Sequence, residues 1–166
     1  MKVESKLQVA STACKLKHIN EYLHIGKKTN KENSVLLVDD DPVMLKLMKT
    51  ILKTCNNIDS VNATKSAEEA IDYLLSRSVD VVVTDVNMNG MSGIELLKWV
   101  KKKLPSTFVV IITGNLDMAT CWKARSNGAD DYITKPFSIS ELRAAVEKCF
   151  ANLTDMNGKT VSVHSQ

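Results

Sequence analysis

Several kinds of segment that mark membrane, exported or metal-stapled proteins are missing from this sequence. No apolar run approaches the length of a membrane span. Near the start, Glu4, Lys6 and Gln8 leave no continuous apolar stretch for an export signal. The four cysteines form no Cys-x-x-Cys pair, and no histidine lies at metal-ligand spacing from them. We therefore expect a cytoplasmic protein with no membrane segment and with reduced thiols, two or three of them in or near the core.

Glycine-rich phosphate-binding loops and a strong charge of one sign are absent as well. Neither Gly-x-Gly-x-x-Gly nor a Walker sequence occurs, which argues against a dinucleotide-binding or P-loop enzyme. The net charge is only +3, from 22 Lys and Arg against 19 Asp and Glu. This small excess does not by itself indicate a nucleic-acid partner, and we do not expect one.

The length and composition suit one packed domain with short extensions. The chain has 166 residues, of which 44% are apolar and 25% are charged. Residues 1–33 hold seven Lys and three Glu and form a basic arm and linker with a weak helical pattern. The regular patterns of a folded domain cover residues 34–152. Residues 153–166 are polar, so we predict a flexible C-terminal tail.

Five short apolar runs alternate with five helical patterns in the predicted domain. Most of the apolar runs have the continuous character of strands that are buried on both faces. Pro42 after Asp41 marks the first helix. Its predicted apolar face consists of Val43, Leu47 and Ile51 with their neighbours Met44, Met48 and Leu52. Capping boxes mark three other helices. The alternation predicts an α/β fold, a doubly wound, five-stranded parallel sheet with helices on both faces. The predicted strands cover 35–38, 58–63, 79–83, 108–112 and 131–134, and the capping boxes begin at Ser66, Ser92 and Ser138.

Polar side chains follow neighbouring strands of this predicted sheet. Asp39 and Asp40 come directly after the first strand, and Asp85 follows the third. In a doubly wound sheet these two strands are adjacent at the switch point, and ligands bind beyond their carboxyl ends. Thr113 follows the fourth strand and Lys135 follows the fifth. We therefore expect all five side chains to meet in one crevice.

Three carboxylates in one crevice repel each other unless a proton or a cation relieves them. Mg²⁺ fits such a site because it binds a few carboxylates and keeps several waters. A carboxylate nucleophile, a metal, a hydroxyl and an ammonium are together the parts needed for phosphoryl transfer to an aspartate. Each residue alone would read as a helix cap or a solvated surface group. Their convergence on one sheet edge is what favours the functional interpretation.

Four motifs make this sequence similar to a known family. They are VDDDP at 38–42, TDVNMNGMSG at 84–93, IITG at 111–114 and GADDYITKPF at 128–137. In this order they closely resemble the receiver domain of bacterial two-component response regulators, over about residues 34–152. The resemblance implies a flavodoxin-like (βα)5 fold with strand order 2-1-3-4-5.

The resemblance also implies a phospho-acceptor and a metal site. Asp85 matches the aspartate that accepts the phosphoryl group. Asp39 and Asp40 match the acidic pair that holds Mg²⁺ in this family. Asp85 and the backbone carbonyl of Asn87 would complete the protein ligands of the metal.

Further residues match the positions through which the family senses and loses the phosphoryl group. Thr113 resembles the hydroxyl that bonds a phosphoryl oxygen, and Lys135 resembles the phosphate-contacting lysine that precedes a cis peptide bond to proline. Tyr132 resembles the aromatic residue whose rotamer reports activation, and packing in the core explains a tyrosine there equally well. Asn87 and Asn115 match residues that flank the attacking water. Neither is a base, so we expect only slow autodephosphorylation.

These similarities imply a signalling protein rather than an enzyme. A sensor histidine kinase or a histidine phosphotransfer protein would donate the phosphoryl group to Asp85, and the modification would switch a protein-binding surface. Only residues 153–166 follow the last predicted helix. We therefore expect a stand-alone, chemotaxis-type receiver that acts on a downstream protein, either as a monomer or as a phosphorylation-dependent dimer. Trp122 is a candidate contact residue, with packing at the helix base as the alternative.

Two other classes of function stay open. The arm 1–33 would contact nucleic acid in a DNA-associated regulator, although it lacks Arg and contains one aromatic residue, Tyr22. A salt-sensitive DNA shift that is lost on deleting the arm would distinguish this class. A small flavodoxin-like enzyme would bind a phosphorylated ligand, which an acidic crevice without a metal repels. Flavin absorbance in the purified protein would identify such an enzyme.

Overall fold

A computed structural model describes residues 32–114 and 118–157 of the protein. Within these residues, five strands and five helices alternate along the chain. The strands are β1 (Ser34–Val38), β2 (Ser60–Thr64), β3 (Val81–Asp85), β4 (Phe108–Thr113) and β5 (Asp131–Thr134). The helices are α1 (Pro42–Leu52), α2 (Ala67–Ser76), α3 (Gly93–Lys103), α4 (Met118–Ser126) and α5 (Ile139–Asn157).

All five strands are parallel and lie in the order β2-β1-β3-β4-β5. This arrangement confirms the predicted doubly wound, flavodoxin-like α/β fold. Every residue of β3 and β4 is buried, because β-branched and other apolar side chains on both faces of these strands are covered by helices. The order also makes β1 and β3 neighbours, with Val38 opposite Thr84. Their carboxyl ends therefore lie side by side.

The helices cover the two faces of the sheet with separate apolar cores. On one face, α1 and α5 pack on the sheet through residues such as Met48 and Val146. On the other face, α2, α3 and α4 pack through residues such as Leu74, Leu97 and Ala124. The strand residues alternate between the two cores because successive side chains of a strand point to opposite faces.

The polar residues predicted to cap the helices do so, with one difference. Asp41 caps α1 by accepting from the backbone N–H of Val43 at 2.8 Å. The boxes that begin at Ser92 and Ser138 are closed in both directions. At α2 the box is only half formed, because Glu69 accepts from the N–H of Lys65 instead of from the N-cap residue.

The predicted apolar face of α1 is wrong at two positions. Val43 and Leu47 are 73% and 48% exposed. Met48, Ile51 and Leu52 of the predicted face are buried, together with Leu45, which the prediction left out. Val43 and Leu47 have helical spacing to the buried Ile51, but the orientation of α1 against the sheet and α5 leaves these two side chains at the surface.

Several other boundaries differ from the sequence-based prediction or fall outside the described residues. Helix α5 continues to Asn157, past residue 152, where we had placed the end of the domain. Most of the arm 1–33, Asn115 and residues 158–166 lie outside the described residues. The three described cysteines are free thiols, with Cys55 and Cys149 buried and Cys121 half-buried. No helix in the described part of the chain is long and apolar enough to cross a membrane.

Candidate functional site

A cluster of two acids and one lysine lies at the carboxyl edge of the sheet. Asp39 follows β1 and Asp85 ends β3, and both side chains are buried, with residue exposures of 1% and 7%. Lys135 follows β5 and donates to Oδ2 of Asp39 at 3.0 Å and to Oδ2 of Asp85 at 2.9 Å. One ammonium therefore bridges carboxylates from two neighbouring strands.

The end of β4 positions this lysine. Thr113, the last residue of β4, is buried and lies opposite Thr134 of β5. Its carbonyl accepts from the backbone N–H of Lys135 at 2.8 Å. The Lys135–Pro136 peptide bond is cis, as the resemblance implies. The predicted Thr113 and Lys135 thus lie on adjacent strand ends at the edge that holds Asp39 and Asp85.

The three consecutive aspartates after β1 have three different sets of partners. Asp39 accepts from Lys135 through Oδ2 and from the N–H of Asp41 through Oδ1, at 2.8 Å. Oδ2 of Asp40 accepts from the backbone N–H of Asn89 at 3.1 Å and from its side-chain Nδ2 at 2.9 Å. Asp41 caps α1. Asp40 is therefore held by the loop after β3, while Asp39 belongs to the lysine cluster.

The electrostatics of the cluster follow from burial and pairing. Burial raises the pKa of Asp39 above its ordinary value of 3.8, against the lowering effects of the Asp41 N–H and of Lys135. Burial alone would lower the pKa of Lys135. The hydrogen bonds to Asp85 and Asp39 outweigh it, so the pKa of Lys135 lies above 10.5. Lys135 is therefore a charged ammonium at neutral pH.

The two carboxylate oxygens of Asp85 differ in their hydrogen bonding. Its Oδ2 accepts from Lys135, whereas its Oδ1 is buried and has no hydrogen-bond partner among the described residues. A buried carboxylate oxygen without a donor is unfavourable, and such an atom calls for an explanation in terms of a ligand or a reaction. A cation or a phosphoryl group bound at this edge would satisfy it.

The donor set fits a hard, hydrated cation. In the described ranges, no group of three His, Cys, Asp or Glu side chains is gathered closely enough to hold a metal ion by itself. Mg²⁺ does not require one, because it is usually bound by one or two carboxylates and keeps several waters. Asp39, Asp85 and the nearby Asp40 supply oxygen atoms of the kind that Mg²⁺ prefers. Asn87, the fourth predicted ligand, lies exposed in the loop after β3.

Three residues that shape the site were missed by the sequence analysis. A Cβ on Gly93 would lie 2.0 Å from the backbone oxygen of Asp85, so only glycine allows α3 to begin this close to β3. Glu68 on α2 accepts from the N–H of Met91 at 3.0 Å. Asn89 holds Asp40, as described above. A glycine at the first position of a capped helix is a signal that would have pointed to Gly93.

The aromatic residues that the sequence analysis singled out lie on the surface. Tyr132 on β5 is 49% exposed, and Trp122 on α4 is 72% exposed. Core packing, the alternative interpretation for Tyr132, is therefore wrong, and Trp122, for which packing at the helix base was the alternative, has most of its side chain exposed. Tyr132 lies opposite Ile111, two residues before Thr113 on β4, so β5 connects the surface to the strand that ends at the site.

With this geometry established, the family can be assigned. The family model of the response regulator receiver domain matches residues 35–147. The chain belongs to this family. As a receiver domain of two-component systems, it is 33% identical over 118 residues to response regulator protein VraR of Staphylococcus saprophyticus, an alignment that covers 71% of this chain and 56% of that protein.

Other relatives of this receiver domain differ in total length. A cyclic di-GMP phosphodiesterase of Thermotoga maritima is 36% identical over 121 residues, covering 72% of this chain and 31% of the relative. The receiver domain of Francisella response regulator 1452 is 32% identical with a TM-score of 0.67, covering 73% of this chain and 98% of that structure. The chain thus spans about half, or less, of the length of the curated relatives that it matches.

Proposed function

We propose that this receiver domain accepts a phosphoryl group on Asp85 in the presence of Mg²⁺ and that the modification switches a protein-binding surface. The donor would be a phosphohistidine on a sensor histidine kinase or a histidine phosphotransfer protein. The observation that carries the proposal is the state of the Asp85 carboxylate. One of its oxygens is held by Lys135 at 2.9 Å, and the other is buried without a hydrogen-bond partner among the described residues.

The proposed reaction is an in-line displacement at phosphorus. A carboxylate oxygen of Asp85 supplies the electron pair for the new O–P bond. The N–P bond of the phosphohistidine breaks, and the imidazole leaves with the electron pair of the N–P bond. Lys135 would neutralise charge on the phosphoryl oxygens while it keeps Asp85 in place. Asp39, Asp40, Asp85 and the backbone carbonyl of Asn87 would hold Mg²⁺, which supplies further neutralisation of phosphoryl charge when bound.

The proposed switch runs from the site to β5. An acyl phosphate on Asp85 adds negative charge at the edge where Thr113 ends β4, and this charge would attract the Thr113 hydroxyl. Movement of Thr113 would change the space available to Tyr132 of β5, which lies opposite Ile111 of β4. The populations of two conformations would shift, and with them the surface offered to a downstream protein or to a second copy of the chain.

The remaining parts of the proposal concern location and lifetime. Free thiols at all three described cysteines agree with a cytoplasmic protein. Asn87 is neither an acid nor a base and is exposed beside the site. Autodephosphorylation would therefore proceed without a dedicated general base, and the protein would act as a signalling phospho-acceptor rather than as an enzyme with a turned-over substrate.

Incubation with acetyl phosphate and Mg²⁺, followed by intact-protein mass spectrometry, tests the proposal. The wild-type chain should gain the mass of one labile phosphoryl group, and Asp85→Asn should gain none. Asp72→Asn, which changes an exposed aspartate on α2, is the matched control and should behave like the wild type. An unmodified wild type, or a modification that persists in Asp85→Asn, would contradict the proposed function.

A further inference from the structure

The contact between Asp40 and Asn89 joins the end of β1 to the segment that we call the β3–α3 loop, residues 86–92. Both donors of Asn89, its backbone N–H and its Nδ2, bind the same oxygen of Asp40, at 3.1 and 2.9 Å. We infer that Asn89 is a positioning residue that holds Asp40 for cation binding. The inference rests on the proposed function, because it concerns the Mg²⁺ site of that reaction.

The β3–α3 loop is itself anchored independently of Asp40. Oε1 of Glu68 accepts from the N–H of Met91 at 3.0 Å. Gly90 adopts a φ of +84°, a conformation that residues with a side chain rarely adopt, and a Cβ there would lie 2.9 Å from Oε1 of Glu68. The N–H of Gly93 donates to the carbonyl of Val86 at 3.1 Å, which closes the base of the loop. The loop therefore fixes the amide of Asn89, and the amide in turn fixes the half-buried Asp40 side chain.

The chemistry of the two donors matters for a cation. Lys135 satisfies Asp39 and Asp85 with a positive charge, which opposes the approach of a metal ion. Asn89 donates to Asp40 through neutral amide groups, so these contacts bring no positive charge to the carboxylate. Both donors bind Oδ2, so neither of these contacts occupies the Oδ1 atom. Asp40 is thus oriented without being neutralised.

Orientation of this kind affects Mg²⁺ affinity. Mg²⁺ requires nearly ideal octahedral geometry with short bonds to oxygen, so a ligand that rotates freely loses affinity. Hydrogen-bond partners that orient metal-binding carboxylates typically change metal affinity by about 10- to 100-fold when they are removed. The side-chain amide of Asn89 is one of two such donors to Asp40, which places the expected effect at the lower end of that range.

Isothermal titration of the full chain with Mg²⁺ tests the inference without using phosphorylation. Asn89→Ala removes Nδ2 and keeps the backbone donor, so we expect a Kd for Mg²⁺ about 10-fold weaker than in the wild type. Asn127→Ala is the matched control, because the Nδ2 of Asn127 also donates a hydrogen bond, to the backbone carbonyl of Lys123 at 2.6 Å. Asn127 lies before the first residue of β5, at the edge of the sheet opposite to the carboxyl ends of the strands. It should leave the Kd unchanged. Thermal unfolding without Mg²⁺ checks that the variants fold, and Asn89→Ser replaces Asn89→Ala if the latter does not.

A double-mutant cycle separates positioning from a general structural effect. In an Asp40→Asn background, Asn89→Ala should cause no further loss of Mg²⁺ affinity, because its effect acts through Asp40. An equal Kd in the wild type and Asn89→Ala, or an additive loss in the double variant, would overturn the inference and leave the proposed function intact. A wild-type chain that binds no Mg²⁺ would overturn both the inference and the metal site of the proposed function.

Discussion

At the residue scale, Asp39 shows that the site is kept at a cost to stability. Its carboxylate is buried, and burial raises its pKa above 3.8 despite the hydrogen bonds from Asp41 and Lys135. A folded-state pKa above the unfolded value means that the folded protein favours the protonated acid. The contribution of Asp39 to stability is then present below the unfolded pKa and is lost as the pH rises through the folded pKa. At neutral pH the ionised side chain is unfavourable for folding.

We therefore expect Asp39→Asn to be more stable than the wild type at pH 7, by about 1 kcal/mol. The difference should shrink as the pH falls towards about 4 and be absent below it, because the acid is then protonated in both the folded and the unfolded protein. Thermal denaturation of both proteins across this pH range measures the effect, with Asp72→Asn as an exposed control. A destabilised Asp39→Asn at pH 7 would show that pairing with Lys135 outweighs burial.

At the scale of elements, the junction between β3 and α3 is the most constrained part of the site. Helix α3 begins at Gly93 directly against the carbonyl of Asp85, and the hydroxyl of Thr84 donates to the same carbonyl at 3.0 Å. Ser92 and Glu95 close the capping box that starts the helix. The strand that ends in Asp85 and the helix that follows its loop are thus held at van der Waals distance, with no room for a side chain between them.

Gly93→Ala should destabilise the protein by about 3 kcal/mol, because its Cβ would overlap the Asp85 carbonyl and force the helix away from the strand. Gly114→Ala is the matched control, since a Cβ there meets nothing within 4 Å. It should change the free energy of unfolding by less than about 0.5 kcal/mol. Urea denaturation of the three proteins compares these values. Equal stability of Gly93→Ala and the wild type would mean that α3 moves away without cost.

At the scale of the whole described domain, the parallel sheet separates two cores that must both be intact. Cys149 on α5 belongs to the core shared with α1, and burial raises the pKa of its thiol to about 12. Cys121 on α4 is half-buried on the other face. Because the thiolate is the reactive species, a buried thiol with so high a pKa does not react in the folded state.

Alkylation with iodoacetamide at pH 8, followed by peptide mass mapping, should modify Cys121 in the native protein and leave Cys149 unmodified. In denaturant, Cys149 should become reactive in step with global unfolding, because its exposure requires loss of the core between α1 and α5. Cys121 serves as the internal control for reagent and pH. Equal rates at the two cysteines under native conditions would show that α5 opens locally.

The general architecture was accessible from sequence because buried parallel strands are continuous apolar runs with polar residues at their ends. The same rule predicted the proximity of Asp39, Asp85 and Lys135, which the structure confirms. Their roles in phosphoryl transfer stay predictions. The exposure of Val43 and Leu47 was not accessible, since both have good helical spacing to Ile51, which is buried as predicted. Packing of α1 against the sheet and α5 decides which of these residues are covered.

The loop contacts were beyond reach for a different reason. Asn89, Glu68 and Gly93 act through the path of the backbone between β3 and α3, and that path depends on tertiary contacts across distant parts of the chain. Glu68, for example, lies on α2, which comes before β3 in the chain, and its carboxylate contacts Met91 in the loop that follows β3. Periodicity and capping rules describe residues within one element and contain no information of this kind.

Lys135 joins residues that are far apart in the order of synthesis. Its ammonium contacts Asp39 across 96 positions and Asp85 across 50. A nascent chain that has emerged only as far as β4 already contains both acids but lacks the cation that pairs them. In such an intermediate the carboxylates of Asp39 and Asp85 would repel each other without the positive charge of Lys135. This repulsion disfavours bringing the ends of β1 and β3 together before Lys135 is present. The cluster of Asp39, Asp85 and Lys135 can therefore form only after the last strand has been made, and a product that ends before Lys135 would carry the two acids without the ammonium that pairs them.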